Sequence, residues 1–204
     1  MKVTKYTHAC VRLEAHGRVL VIDPGTWSEP AALAGVDAVL VTHEHTDHID
    51  ALRLAGLGIP VYAPADARIV VPERARGLNL TPVTSGSEFT AAGFHLRAVG
   101  GRHAVIYGGK PDCANLGYVV DGALYHPGDS LHRPEQPIET LLVPAQGSWL
   151  KLAEAIDFVR AVAPERTFPI HDAQLNERGL ASINGWFAEE TLSGYRWLAP
   201  GETA

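Results

Sequence analysis

Cysteine is almost missing from this chain: Cys10 and Cys113 are the only two in 204 residues. Two scattered thiols do not build the disulfide framework of a small secreted domain, and they suit a reduced, cytoplasmic setting. No apolar stretch approaches the ~18 residues that a membrane-spanning helix needs. The opening Met1-Lys2-Val3-Thr4-Lys5-Tyr6 also lacks the apolar centre of a signal peptide. The expectation is a chain neither exported by that route nor embedded in a bilayer. Positive charge is scarce as well. Seventeen basic residues stand against twenty-three acidic ones, a net charge of −6, and no basic run is longer than two. A polyphosphate backbone is therefore disfavoured as a partner through charge. Methionine occurs once, and internal repeats and low-complexity tracts are missing.

What the chain does contain is ordinary globular material, 46% hydrophobic and 20% charged, which excludes a disordered protein. At roughly 150 residues per domain the length predicts one compact domain over 1–204. Such a chain buries about 70% of the surface its unfolded form exposes, so it needs no staples. Short β-rich runs open it: Val3–Tyr6, Val11–Glu14 and Val19–Ile22, the last two joined by a hairpin turn at His16-Gly17. The nearly continuous apolar run Val36–Thr42 predicts a strand buried on both faces. Helices are expected over Ala51–Leu57 and Ala65–Val71, flanking a strand at Val61–Ala63. Between Gly77 and Val120 lie short extended segments, at Thr81–Val83, Phe94–Val99, Val105–Tyr107 and Leu116–Val120, and Asp121-Gly122 reads as a tight turn into Ala123–Tyr125. After a strand at Thr140–Val143, Leu152, Ile156, Val159 and Ala163 recur at i, i+4, i+7, i+11 and predict an amphipathic helix closed by Pro164. A strand at Arg166–Ile170 and a helix from Ala173 to about Glu190 complete the order. Strands first, helices interleaved, and the arrangement repeated in the second half fit an α/β fold: a four-layer αββα sandwich with two mixed sheets flanked by helices. Strand order is not legible from this pattern.

Histidine is in excess, with ten residues in the chain. The densest cluster is Thr42-His43-Glu44-His45-Thr46-Asp47-His48, placed where a strand should end. In an extended segment side chains alternate, so His43, His45 and Asp47 can point one way while His48 opens the next turn. At the chain's own residue frequencies, four such matches have a chance on the order of one in a thousand of arising in random order. A solvated histidine-rich loop gives no reason for this order. No serine stands in a nucleophile-elbow context, so a Ser-based triad is a poor reading. One loop cannot close two metal sites. Three later residues at predicted strand–loop junctions are further ligand candidates: His103 after Gly100-Gly101-Arg102, Asp129 after Pro127-Gly128, and His171 after Pro169-Ile170. Imidazole and carboxylate are ligands that a divalent ion such as zinc accepts.

Taken in order, His43-x-His45-x-Asp47-His48, His103, Asp129 and His171 closely resemble the motifs of the metallo-β-lactamase superfamily, over essentially the whole chain from Asp23 to His171. That resemblance implies that His43, His45 and His103 hold one metal, that Asp47, His48 and His171 hold a second, and that Asp129 bridges them. Asp23 resembles the family's first aspartate, which supports a ligand histidine from behind; alternatively it is a turn or N-cap carboxylate. Only 33 residues follow His171, which suits neither the inserted domain of RNA-processing members nor the helical extension of glyoxalase II-like ones. His45 stands where the diiron oxygen-reductase branch usually has Glu, which argues for hydrolysis. The opening Tyr6-Thr7-His8-Ala9-Cys10 resembles the compact branch that includes ascorbate-6-phosphate lactonase, in which an early histidine lies near the site. His8 is its counterpart, or else a buried structural histidine.

The implied chemistry is hydrolysis by a hydroxide bridging two divalent metals, zinc by default with Mn, Fe, Co or Ni accepted, on a small ester, lactone, amide or phosphodiester. Asp47 is expected to orient the hydroxide and pass its proton on. His132, Arg133 and Arg102 are candidates for additional help in the pocket, or are exposed loop residues; Trp27 and Trp149 wall an apolar part of the cleft, or pack at its rim. His16, His95 and His126 have no partner motif. The competing readings are a metal-binding sensor or structural protein without turnover, and a metal-dependent nuclease. The expected partner is a small-molecule substrate, with no membrane involved and homo-oligomerisation open.

Overall fold

The computed structural model describes all residues from Met1 to Ala204. Thirteen strands form two sheets. The first holds β1 (Lys2–Lys5), β2 (Val11–Ala15), β3 (Arg18–Ile22), β4 (Ala38–Leu40), β5 (Pro60–Pro64) and β6 (Asn79–Val83), side by side in chain order. Its first three strands are antiparallel and the rest run parallel to β3. The second sheet holds β7 (Glu88–Ala91), β8 (Phe94–Arg102), β9 (Ala114–Val120), β10 (Leu124–His126), β11 (Thr140–Pro144), β12 (Arg166–Ile170) and β13 (Gly194–Tyr195), again neighbours in chain order. The same plan repeats: an antiparallel run β7 to β10, then parallel strands from β10 onward. Three helices accompany them, α1 (Ala51–Ala55), α2 (Leu152–Val162) and α3 (Glu177–Glu190).

Side-chain alternation sorts the apolar residues into three cores. Along β9, which is buried throughout, Leu116, Tyr118 and Val120 enter the cluster between the sheets while Val119 faces the opposite way. The central cluster draws Leu13, Leu20, Ile22 and Leu40 from the first sheet and Phe94, Leu96, Leu142 and Phe168 from the second. On the outer face of the second sheet, Leu141 and Val143 pack with Ala155, Ile156, Phe158 and Val159 of α2 and Phe187 of α3. On the outer face of the first, Val21, Val39 and Val61 pack with Leu54 of α1. The result is the expected αββα order of layers.

Several elements differ from the sequence-based expectation. No helix forms over Ala65–Val71; these residues are turn and irregular chain. Ile69, Val70 and Val71 are three β-branched residues running into Pro72, and the Arg68 N–H donates to the Glu44 carboxylate instead of to a helical carbonyl. Val105–Tyr107 is not a strand. Ile106 and Tyr107 donate their N–H groups back to the Lys110 carbonyl across a turn that contains Gly108 and Gly109, both at positive φ. The last helix starts at Glu177 and not at Ala173, because the Asn176 side chain accepts from the Gly179 N–H and caps it there. The run Val36–Thr42 contains only a three-residue strand. β7 and β13 were not expected.

The carboxyl ends of β1, β3, β4, β8, β10 and β12 carry the loops that contain the candidate residues. Within each sheet these strands run in one direction, so their ends gather at one edge. His8 follows β1, Asp23 follows β3, His43 to His48 follow β4, His103 follows β8, Asp129 follows β10 and His171 follows β12.

Candidate metal centre

Residues 43–48 are not an extended segment, so alternation does not place their side chains. His48 and Ile49 both donate to the His45 carbonyl, which folds Asp47 and His48 into a tight turn. The turn splits the motif. His43 and His45 join His103 and Asp129 in one group; Asp47 and His48 join His8 and His171 in another, with the ligand atoms of each group within 4.8 Å of one another. Asp129 faces both groups: its Oδ2 is 3.2 Å from His103 Nε2 and 3.1 Å from His171 Nε2, and its Oδ1 is 3.2 Å from His48 Nε2. All of these residues are buried except His45 and Asp47, the latter 21% exposed.

Two glycines make this approach possible. A Cβ on Gly25 would lie 1.8 Å from the Asp47 carbonyl oxygen, so only glycine lets the turn after β3 lie against the ligand loop. Gly128, at φ 63°, would place a Cβ 2.3 Å from Asn115 Oδ1 and 2.7 Å from Thr42 Cβ.

Hydrogen bonds around the cluster set which nitrogen of His43, His48 and His103 turns inward. Asp23 accepts from the Thr42 N–H (2.7 Å) and hydroxyl (2.6 Å), and its Oδ2 is 2.7 Å from His48 Nδ1. His48 therefore carries its proton on Nδ1 and turns Nε2 inward, the carboxylate–histidine arrangement typical behind a metal ligand. The Thr42 hydroxyl, its hydrogen spent on Asp23, accepts from His43 Nδ1 at 3.0 Å. His103 Nδ1 donates to the Ala104 carbonyl at 2.6 Å. His45 aims Nδ1 at His43 Nε2, 2.9 Å away, and turns Nε2 toward Cys113 Sγ at 4.0 Å. The inward His48 Nε2 and Asp129 Oδ1 have no hydrogen-bond partner, nor has His171 Nδ1. Orphaned buried donors and acceptors of this kind are rare unless something else satisfies them. Bare imidazole nitrogens and a carboxylate converging in a buried space fit a divalent cation.

In the protein without metal the electrostatics divide the rings. Burial, followed by the neighbouring His48, lowers His43 well below the usual imidazole value, and burial followed by His103 lowers His45. Burial opposes charge at His48 too, but Asp129 and Asp23 outweigh it and hold His48 well above that value. Burial also works against the charged Asp47 carboxylate, yet the His8 hydrogen bond and His48 bring it down to about 2. Asp129 stays well below the ordinary carboxylate range despite burial, chiefly through His48 and His171.

The sequence profile of the beta-lactamase superfamily domain matches residues 2–171, from β1 to His171. The chain belongs to the beta-lactamase superfamily. The matched span contains every candidate ligand. Protein Rv0786c of Mycobacterium tuberculosis is 35% identical over 215 residues, covering 100% of this chain and 99% of its own. A UPF0173 metal-dependent hydrolase of Chelativorans sp. is 30% identical over 149 residues, 64% of this chain and 63% of that one. Among solved structures, the metallo hydrolase Igni18 of Ignicoccus hospitalis superposes with a TM-score of 0.77 at 21% identity, over 100% of this chain and 97% of the other, which shows a shared fold.

Within this superfamily site the expected residues fare unequally. Asp23 takes the supporting position behind His48, not a helix cap. The structure does not bring His132 to the cluster: it is exposed, its ring packs over Gly100, and it lines a surface cavity of about 420 Å³ with Arg133, Pro134, Glu135 and Ala161. The three residues after Asp129 carry the chain outward, so closeness in sequence does not become closeness in space. Arg102 pairs with Asp112. Trp149 Nε1 donates to Asp129 Oδ2 at 3.1 Å, and its ring lies edge-on to His103 and His171. Trp27 stands edge-on to His8 at 4.7 Å.

Sequence reasoning passed over three supports. His126 is fully buried, with Nε2 donating to the Ala9 carbonyl and Nδ1 accepting from the Gly128 N–H. Asn115 accepts from the Asp129 N–H and donates to the Pro127 carbonyl. Lys5, also buried, pairs with Asp172 beside His171, and Asp172 accepts from the Trp197 indole as well. Only His126, two residues before Gly128, stood near a motif.

Proposed function

We propose that the protein is a metal-dependent hydrolase that holds two divalent ions, zinc by default, and cleaves a small ester, lactone, amide or phosphodiester. The observation that carries this reading is the shared carboxylate: Asp129 lies within 3.2 Å of His103, His171 and His48, which belong to two separate ligand groups. His43, His45 and His103 would hold one ion and Asp47, His48 and His171 the other, with Asp129 common to both. Ions bound there lower the pKa of a coordinated water from 15.7 toward about 7 and polarise the oxygen of the group under attack. The chain supplies the remainder. Asp23, Thr42 and the Ala104 carbonyl hold the imidazoles in the ligating tautomer. Asp47 remains ionised and partly exposed, so its carboxylate can accept a proton at the cleft and hand it to the leaving group. Trp149 keeps the Asp129 carboxylate oriented and, with Trp27, presents apolar surface beside the reacting centre.

Elemental analysis of untagged protein, followed by assays on ester, lactone, amide and phosphodiester panels, tests the reading. We expect about two equivalents of metal and turnover on at least one class. Asp47→Ala should keep the metal of the His43 group and lower turnover by at least about 100-fold, the lower end for a proton-transfer residue. Protein that binds no metal, or that binds two equivalents and is inert on all four classes, rejects the proposal.

A further inference from the structure

Three of the six imidazoles at the centre share one orientation: the outer Nδ1 atoms of His43, His48 and His103 face Thr42 Oγ1, Asp23 and the Ala104 carbonyl, all acceptors. His8 is reversed. The backbone N–H of Ala173 points at His8 Nδ1, 3.4 Å away, and is a donor that cannot accept. A neutral imidazole has one lone pair and one N–H. If Nδ1 accepts, the proton sits on Nε2, which lies 3.1 Å from Asp47 Oδ2. Ligation through Nε2 would require the proton on Nδ1, opposite the Ala173 N–H, and would set two donors against each other in a buried space.

We infer that His8, although it stands within the second ligand group, is not a metal ligand but a positioning residue whose Nε2–H fixes the Asp47 carboxylate. The inference rests on the proposed function and adds a consequence to it. With His8 withdrawn, the second ion has Asp47, His48, His171 and the shared Asp129 as its protein ligands, and no further imidazole competes for the position that a water must take. Structural zinc sites are closed by four protein ligands of their own, whereas catalytic ones leave a position open. The backbone holds the ring in this orientation. His8 lies at φ 67°, a conformation that costs a non-glycine residue energy and persists where the surroundings impose it. Here the His8 carbonyl accepts the His171 N–H at 3.1 Å and Trp27 backs the ring. The strain therefore buys an orientation of the ring, locked from both sides.

Ring nitrogen NMR on the full chain tests this directly, first without metal and then on titration with zinc. The expected result is His8 protonated at Nε2 and bare at Nδ1 in both states; transfer of the proton to Nδ1 on zinc addition would overturn the inference. A pair of variants gives a second readout. His8→Ala should weaken binding of the second zinc equivalent by about 10–100-fold, the usual cost of losing a residue that orients a ligand, and His8→Gln, whose amide N–H can replace the donor, should restore most of it. Equal loss of that equivalent in both variants would make His8 a ligand and overturn the inference. Zinc binding by His8→Ala equal to that of the unaltered protein would remove the positioning role. Should the unaltered protein take up no zinc, the proposed function fails, yet the metal-free spectrum still decides which way the His8–Asp47 hydrogen bond runs.

Discussion

An imidazole is a ligand or a donor according to what its far nitrogen touches, and at this centre those partners are other side chains and carbonyls brought in by the fold. Asp23 is the most connected of them, since it serves Thr42 twice and His48 once. Replacing it with Asn offers an amide in place of the second acceptor oxygen, and the Nδ1 proton of His48 loses its partner. We expect Asp23→Asn to weaken zinc binding by about 10–100-fold, measured by competition with a chromogenic chelator, with folding retained. Unchanged affinity would show that the Asp23–His48 contact does not orient the ligand. The histidine-rich motif itself was legible because its residues are adjacent. His126, Asn115 and Lys5 were not, because each acts through a partner 12 to 167 residues away.

Among elements, the loops matter more than the strands they follow. β12, buried from Thr167 to Ile170, matched its expected bounds, and α2 nearly so, because the helix's burial follows a simple period: Ala155, Ile156, Phe158 and Val159 form one face. The segment 65–72 misled because a short helix is marginal without tertiary support, and here Glu44 and Pro72 draw the chain into another path. The ligand loop depends on the turn Asp23-Pro24-Gly25. Gly25→Ala forces a methyl group into the Asp47 backbone, where nothing flexible can yield. A loss on the order of 3 kcal/mol is expected, at the upper end for overpacking. Urea unfolding should show it, with zinc binding impaired in whatever folds. A variant as stable as the unaltered chain would mean that the loop can shift without cost.

For the whole molecule, the balance of titrating histidines predicts how stability follows pH in metal-free protein. Four rings, His8, His43, His45 and His126, are held below their ordinary value of 6.5, each chiefly by burial; His48 is held above it. A lowered group adds stability that is present above pH 6.5 and lost as pH falls toward its folded value; a raised one acts in the opposite sense. Four outweigh one, so the unfolded chain binds more protons than the native one below about pH 6.5, and stability must rise with pH there. Chelator-treated protein should melt at a lower temperature at pH 5.5 than at 7.5. The reverse order would contradict the burial of these rings. Zinc should add stability at either pH, by about 3 kcal/mol at a hundredfold excess over its dissociation constant, and more at the higher pH, because His48 must give up a proton to ligate. No helix is long and apolar enough to cross a membrane.

The sequence by itself determined the layers, through the periodicity of its apolar residues, and the candidate ligands, through the run of histidine and aspartate at 43–48 together with the family resemblance that joins His103, Asp129 and His171 to it. The periodicity and the run at 43–48 are local signals, read over spans of a dozen residues or fewer. Only the tertiary structure decided that a turn at His45 splits the run, that Asp129 comes within 3.2 Å of His48, His103 and His171, that His132 turns away while His126 packs beneath, and that His8 meets a donor where its neighbours meet acceptors. These outcomes depend on which strand ends lie side by side at one edge of two sheets, and a hydrogen bond between residues 8 and 173 leaves no mark on the sequence around either.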